Sequence, residues 1–202
     1  MNKMIKLKVN GNLETFEASK YNNFGELLDD VSKRLKGMVL SEVKVNQKDV
    51  PINKIDELRT AILDEELEIE MNFVPLQEFF ITTLTDVIKY IDNISNLLKE
   101  VSNNILLGEN EGFNNIVDLA EGISAMENLR VNAMKMTGFT PSDFENKISG
   151  NKVAEILQIF VEALERKDLL ELSDILFEKI PIVLEYYKSY FQNILTTLKQ
   201  NN

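Results

Sequence analysis

The chain has 202 residues, 44% hydrophobic and 27% charged, an ordinary globular composition long enough to bury roughly 70% of its unfolded surface without metals or cross-links. It contains no Cys and no His, which removes disulfides, thiol nucleophiles, thiolate metal sites, His-dependent triads and the Glu-x-x-His di-iron bundle. Net charge is −11, and an acidic field repels a phosphate backbone, so nucleic acid is not an expected partner. Residues 1–8 alternate polar and apolar side chains where a signal peptide needs an unbroken apolar run, and no membrane span is expected. The expected address is the cytoplasm. High counts of Asn (22) and Ile (19) suit an AT-rich, bacterial genome.

The first 74 residues have a period near two, interrupted by one helix. Ile5, Leu7 and Val9 alternate with Lys6, Lys8 and Asn10, the pattern of a half-buried strand. Asn10-Gly11 is a tight-turn pair, and Leu13–Ala18 returns as a second strand. Phe24, Leu27, Leu28, Val31 and Leu35 recur at three and four, an amphipathic helix stopped at Gly37. Val43 and Val45 predict a short third strand. Asn46-Gln47 turns into a fourth over residues 48–50, and Pro51 ends it. Asp56 is placed to cap a short helical turn through Leu58 and Ile62. Leu67, Ile69, Met71 and Phe73 alternate with Glu68, Glu70 and Asn72 as the last strand.

This order of elements over roughly residues 3–74 resembles the β-grasp, ubiquitin-like fold. The resemblance implies a mixed sheet with the first and last strands as parallel central neighbours. Lys6 and Lys8 would then lie beside Glu68 and Glu70, with Lys44 on the other side, an arrangement of opposite charges worth about 0.2–1 kcal/mol per pair. There is no Gly-Gly tail, since Val74 and Pro75 run into a helix, so the resemblance carries no conjugation chemistry.

From Pro75 the period becomes about 3.5. Phe80, Leu84, Val87, Ile91, Ile94, Leu98, Val101 and Ile105 form one unbroken seam, predicting a long helix that stops at Gly108. On this helix Phe79, Ile81, Ile88 and Leu97 widen the apolar stripe, which suits a bundle interior or a homodimer. After the turn 108–112 a second helix, expected to return antiparallel, carries Phe113, Ile116, Ala120, Ile123, Met126, Leu129, Ala133 and Met136. Residues 138–150 form a break with a short helical turn at Thr140-Pro141-Ser142-Asp143. A third helix carries Val153, Leu157, Phe160 and Leu164. Arg166-Lys167-Asp168 turns into a fourth, which Pro181 should kink at 177–180. The expected fold class is α+β, a β-grasp domain over 1–74 followed by an antiparallel four-helix bundle over 75–202. This combination resembles an uncharacterised bacterial family, through the stretch Asp168-Leu-Leu-Glu-Leu-Ser-Asp174-Ile-Leu-Phe-Glu178-Lys-Ile-Pro181.

Two features have site-like character. Glu162, Glu165, Glu171 and Asp174 have the spacing of an oxygen-only Mg²⁺ site, but the intervening turn splays them into a solvated acidic hairpin. Tyr186, Tyr187, Tyr190 and Phe191 form the densest aromatic cluster. Because the third helix is short, part of this face is expected to stay open, and Tyr186, Tyr190 and Phe191 are the candidate partner-binding residues. No catalytic, cofactor-binding or metal-ligating residue is assigned. The residues after Val74 hold 11 basic and 19 acidic side chains, which favours a basic amphipathic partner helix. The expected function is a non-catalytic cytoplasmic adaptor that binds another protein. The alternatives are a Mg-dependent helical-bundle hydrolase or nucleotide-binding protein using the acidic hairpin, and an assembly chaperone for a helical partner.

Overall fold

The computed structural model describes residues 4–63, 67–107, 110–144 and 147–200, with backbone alone at 53 and 110–113. The chain divides into two compact units, Met1–Phe80 and Ile81–Asn202.

The first unit is a five-stranded mixed sheet in the order β2-β1-β5-β3-β4. Strand β1 (Met4–Val9) pairs antiparallel with β2 (Asn12–Glu17) through a two-residue turn, with Asn10 and Gly11 at φ 46° and 83°. It pairs in parallel with β5 (Glu68–Pro75), placing Lys6 opposite Glu68 and Lys8 opposite Glu70, the pairing that the resemblance implies. Lys8 Nζ lies 3.1 Å from Glu70 Oε1. Lys44 does register with Glu70, but its ion pairs go to Glu42 and Asp49. Both hairpin turns are fastened to the central strand by an asparagine. The Phe73 N–H donates to Asn10 Oδ1 at 2.6 Å, and the Glu68 N–H donates to Asn46 Oδ1 at 2.9 Å. Asn46 and Gln47 both have positive φ, which side chains other than Gly adopt only when their surroundings hold them there.

Strand β3 spans Met38–Val45, well beyond the expected Val43–Val45. A bulge between Leu40 and Glu42 breaks the alternation that sequence reading relies on, and the Ser41 hydroxyl there donates to Asn72 O. Strand β4 is Lys48–Val50. Helix α1 (Phe24–Arg34) is capped by Asn23, whose side chain accepts the Glu26 N–H, and Gly37 past its end has φ 77°. It buries Leu27, Leu28 and Val31 in one core with Ile5, Leu7, Val43, Ile69 and Met71. The turn at α2 (Ile55–Leu58) starts from Lys54 without a side-chain cap. Asp56 is inside its first turn and is not the cap expected of it.

Helix α3 runs Leu76–Leu106, and its seam buries Phe80, Leu84, Ile91, Leu98 and Ile105. Gly108, the expected stop, lies outside the described residues. Helix α4 (Asn110–Thr137) already includes residues assigned to the connecting turn. A 3₁₀ turn at Pro141–Asp143 is closed by a capping box between Thr140 and Asp143. Helix α5 (Gly150–Arg166) ends at Lys167 in the left-handed conformation. The chain then runs through α6 (Leu169–Asp174), a π turn at Ile175–Lys179 and α7 (Ile180–Gln200). The expected kink therefore takes the form of a π turn. Pro181 has no N–H to give and its ring crowds the Phe177 carbonyl, and the wider turn lets the Ile180 N–H reach back to Ile175 O. Among the described residues no helix is long and apolar enough to cross a membrane.

Apolar periodicity does not reveal one contact in the helical unit. Ser102 of α3 and Ser173 of α6 are both buried, with hydroxyl oxygens 2.7 Å apart, and Ser102 Oγ is also 3.1 Å from Ser173 O. Ser102→Ala should lower stability by about 1–2 kcal/mol because it strands the Ser173 hydroxyl. Adding Ser173→Ala should recover part of that loss, measured as a denaturation-midpoint cycle. Additive losses would show that the two hydroxyls are not coupled.

Candidate functional site

The helical unit holds two grooves of different character. The larger, about 820 Å³, runs between α4 and α5 with α7 as its floor. Its walls are Ile123, Val153, Ala154, Leu157, Phe160 and Val161, and its floor is Tyr186 and Tyr187. Helices α4 and α5 each pack on α7.

The charged residues of this groove, Glu127 and Arg130, sit on α4 and are engaged with one another. Arg130 Nε donates to Glu127 Oε2 at 2.8 Å and Nη2 to Glu127 Oε1 at 2.6 Å, a bidentate pair one helical turn apart. The Tyr187 hydroxyl donates to Glu127 Oε2 at 3.0 Å. The guanidinium holds the Glu127 carboxyl below the usual carboxylate range, with the Tyr187 hydrogen bond adding to this. The same pair pushes the Arg130 pKa up.

The aromatic cluster is closed, which corrects the expectation of an open patch. Tyr186 is 5% exposed, and Tyr190 and Phe191 are 0% exposed. The short third helix is not what decides this. The connection between α4 and α5 folds back over the face: the Tyr190 hydroxyl donates to Phe139 O at 2.8 Å, and the Phe144 ring meets Tyr190 edge-on with centroids 6.0 Å apart. Burial pushes the Tyr190 hydroxyl up to about 12 and raises those of Tyr187 and Tyr186. A raised folded-state pKa contributes stability that is complete below the ordinary value of 10.0 and is lost as pH rises through the folded value. Alkali should therefore unfold the helical unit, with late tyrosinate absorbance appearing together with loss of helical circular dichroism. Ionisation of all five tyrosines near pH 10 with helicity intact would contradict this burial.

The second groove, about 370 Å³, lies between α3 and α4. Leu98 and Leu119 form its buried floor, and Tyr90, Ile94, Leu97 and Val101 form its apolar side. Leu97 is 52% and Tyr90 41% exposed. Among the described residues the charged ones lining it are Glu100 and Asp118, with no Lys or Arg. Tyr90 lies over Gly122, where a Cβ would stand in contact with its hydroxyl and ring, so the glycine gives the ring its place. Sequence reading singled out Leu97 but missed Tyr90 and Gly122, because a lone helical glycine has no periodicity to reveal what crosses it.

The acidic hairpin is tied up locally. Arg166 Nη2 is 2.5 Å from Glu171 Oε2, Asp168 Oδ1 caps α6 by accepting the Glu171 N–H, and Glu162 accepts from Gln158 Nε2. Among the described residues no group of three or more carboxylates is gathered, so Glu162, Glu165, Glu171 and Asp174 do not converge.

Residues 82–190, more than half of the chain, match the model of a family described as a domain of unknown function, DUF8042. The chain belongs to that family. Comparison with curated proteins and with solved structures found no match. Both grooves, and the stretch Asp168–Pro181, fall within the DUF8042 match. The sheet strands lie outside it.

Proposed function

We propose that this DUF8042 protein is a non-catalytic, cytoplasmic adaptor whose α3–α4 groove binds a basic amphipathic helix of another protein. In this reading the N-terminal unit is a β-grasp domain and the helical unit an antiparallel four-helix bundle. The observation that carries the proposal is the combination of exposed Leu97 and Tyr90 with a rim whose charged residues, among the described residues, are Glu100 and Asp118. Apolar side chains at i, i+3 and i+4 of a partner would cover the hydrophobic strip, and its Lys or Arg residues would meet the two carboxylates. The polar cluster of the other groove supports the non-catalytic part, since the Glu127 carboxylate is already bound by Arg130 and Tyr187.

The test titrates full-length protein with a fluorescent amphipathic Leu/Lys peptide. Glu100→Lys with Asp118→Lys should weaken binding about tenfold or more, as expected for charge reversal facing a ligand. Glu162→Lys with Glu165→Lys, an equal charge change on α5, should leave it nearly unaltered. Equal losses from both pairs would reduce the interaction to bulk attraction and overturn the proposal. Self-association abolished by Leu97→Asp would place a second copy in the groove and also overturn it.

A further inference from the structure

The α4–α5 groove holds a polar group that the adaptor reading does not use. Three buried tyrosines lie within five residues of α7, Tyr186, Tyr187 and Tyr190, and two have hydrogen-bond partners: Tyr187 donates to Glu127 and Tyr190 to the Phe139 carbonyl. Tyr186 is 95% buried and lines the groove, yet its hydroxyl makes no hydrogen bond among the described residues. A buried hydroxyl without a partner is unfavourable, and native interiors rarely leave one so.

The surroundings of this hydroxyl are those of an acceptor site. It sits 3.4 Å from where a Cβ would project at Gly150, the first residue of the 17-residue helix α5, so it faces the positive end of that helix with no side chain between. Arg130 lines the same groove with only 17% of its side chain exposed. Its Nε and Nη2 bind Glu127, which balances that carboxylate, but among the described residues its Nη1 meets only the weakly accepting sulfur of Met134 at 2.9 Å. The α5 wall of the groove is apolar, with Val153, Leu157, Phe160 and Val161, while Thr140 and Ser142 of the α4–α5 connection add hydroxyls to its lining. Its volume of about 820 Å³ is in the range of small-molecule sites.

We infer that this groove is a binding site for an amphiphilic carboxylate, a small acyl or aryl acid. Its carboxylate accepts hydrogen bonds from the Tyr186 hydroxyl and the Arg130 Nη1, and its hydrocarbon body lies along the α5 wall. The inference goes beyond the adaptor reading and uses a different groove, so either can fail without the other.

The test uses full-length protein and sodium decanoate, followed by titration calorimetry, with decanol as the uncharged counterpart of equal chain length. Tyr186→Phe removes only an oxygen that has no hydrogen-bond partner among the described residues, so it should leave the melting temperature unchanged or slightly higher. Decanoate should saturate at one equivalent, Tyr186→Phe should weaken it about tenfold, and decanol should bind about tenfold more weakly than decanoate, as expected for hydrogen bonds to a charged acceptor. Absence of saturable decanoate binding overturns the inference. So does decanoate binding that Tyr186→Phe leaves unaltered, or that decanol equals, since either would mean apolar partitioning without a carboxylate site.

Discussion

Phe191→Ala is expected to lower the stability of the helical unit by about 3–5 kcal/mol, the usual cost of emptying a phenylalanine site in a core. Phe191 is completely buried, its ring stacked on Tyr187 at 6.3 Å and tilted against Tyr190 at 5.8 Å. Removing it opens a void among residues whose hydroxyls are already committed: Tyr187 holds Glu127, and Tyr190 holds the 138–149 connection through Phe139. Those bonds limit how far the rings can collapse into the space, which places the expected loss toward the upper end of the range. The shift in denaturant midpoint of the helical signal reads it directly. A loss below about 1 kcal/mol would belong to an exposed site and would contradict the closed aromatic face.

Leu7→Ala is expected to unfold the first unit while leaving the second folded. Leu7 is 1% exposed on β1, between β2 and β5, in the same core as Leu27, Ile69 and Met71. A leucine-to-alanine change at such a site costs about 2–5 kcal/mol. A unit of some 80 residues has only a few kcal/mol of net stability, so the loss is comparable with the whole. Amide NMR signals of the sheet should lose their dispersion while helical circular dichroism persists. Simultaneous loss of both would mean that the two units unfold as one.

The residue patterns were informative where each element's surroundings are simple. Alternation placed β1 and β5; their parallel pairing was implied by the resemblance to a β-grasp order, and the charges of Lys6, Lys8, Glu68 and Glu70 agreed with it, because neighbouring strands at fixed spacing bring those side chains together. The seam from Phe80 to Ile105 announced α3, because a helix buried along one side repeats its apolar residues at three and four. Strand β3 was read too short because a bulge at Ser41 shifts the alternation by one residue, and no local pattern says which strand will hold it there.

Tertiary structure alone decided the character of the sites. The buried residues of α7, from Tyr186 through Tyr187 and Tyr190 to Leu184, span an arc of about 160° at 100° per residue, wider than the stripe of a helix covered on one side. Sequence shows which residues could be buried on such a helix. Whether they are depends on what lies across from them, here α4, α5 and the Phe139–Phe144 connection. That packing turned an expected open patch into a core, left one hydroxyl of three without a hydrogen-bond partner among the described residues, and moved the exposed apolar surface to Tyr90 and Leu97 between α3 and α4.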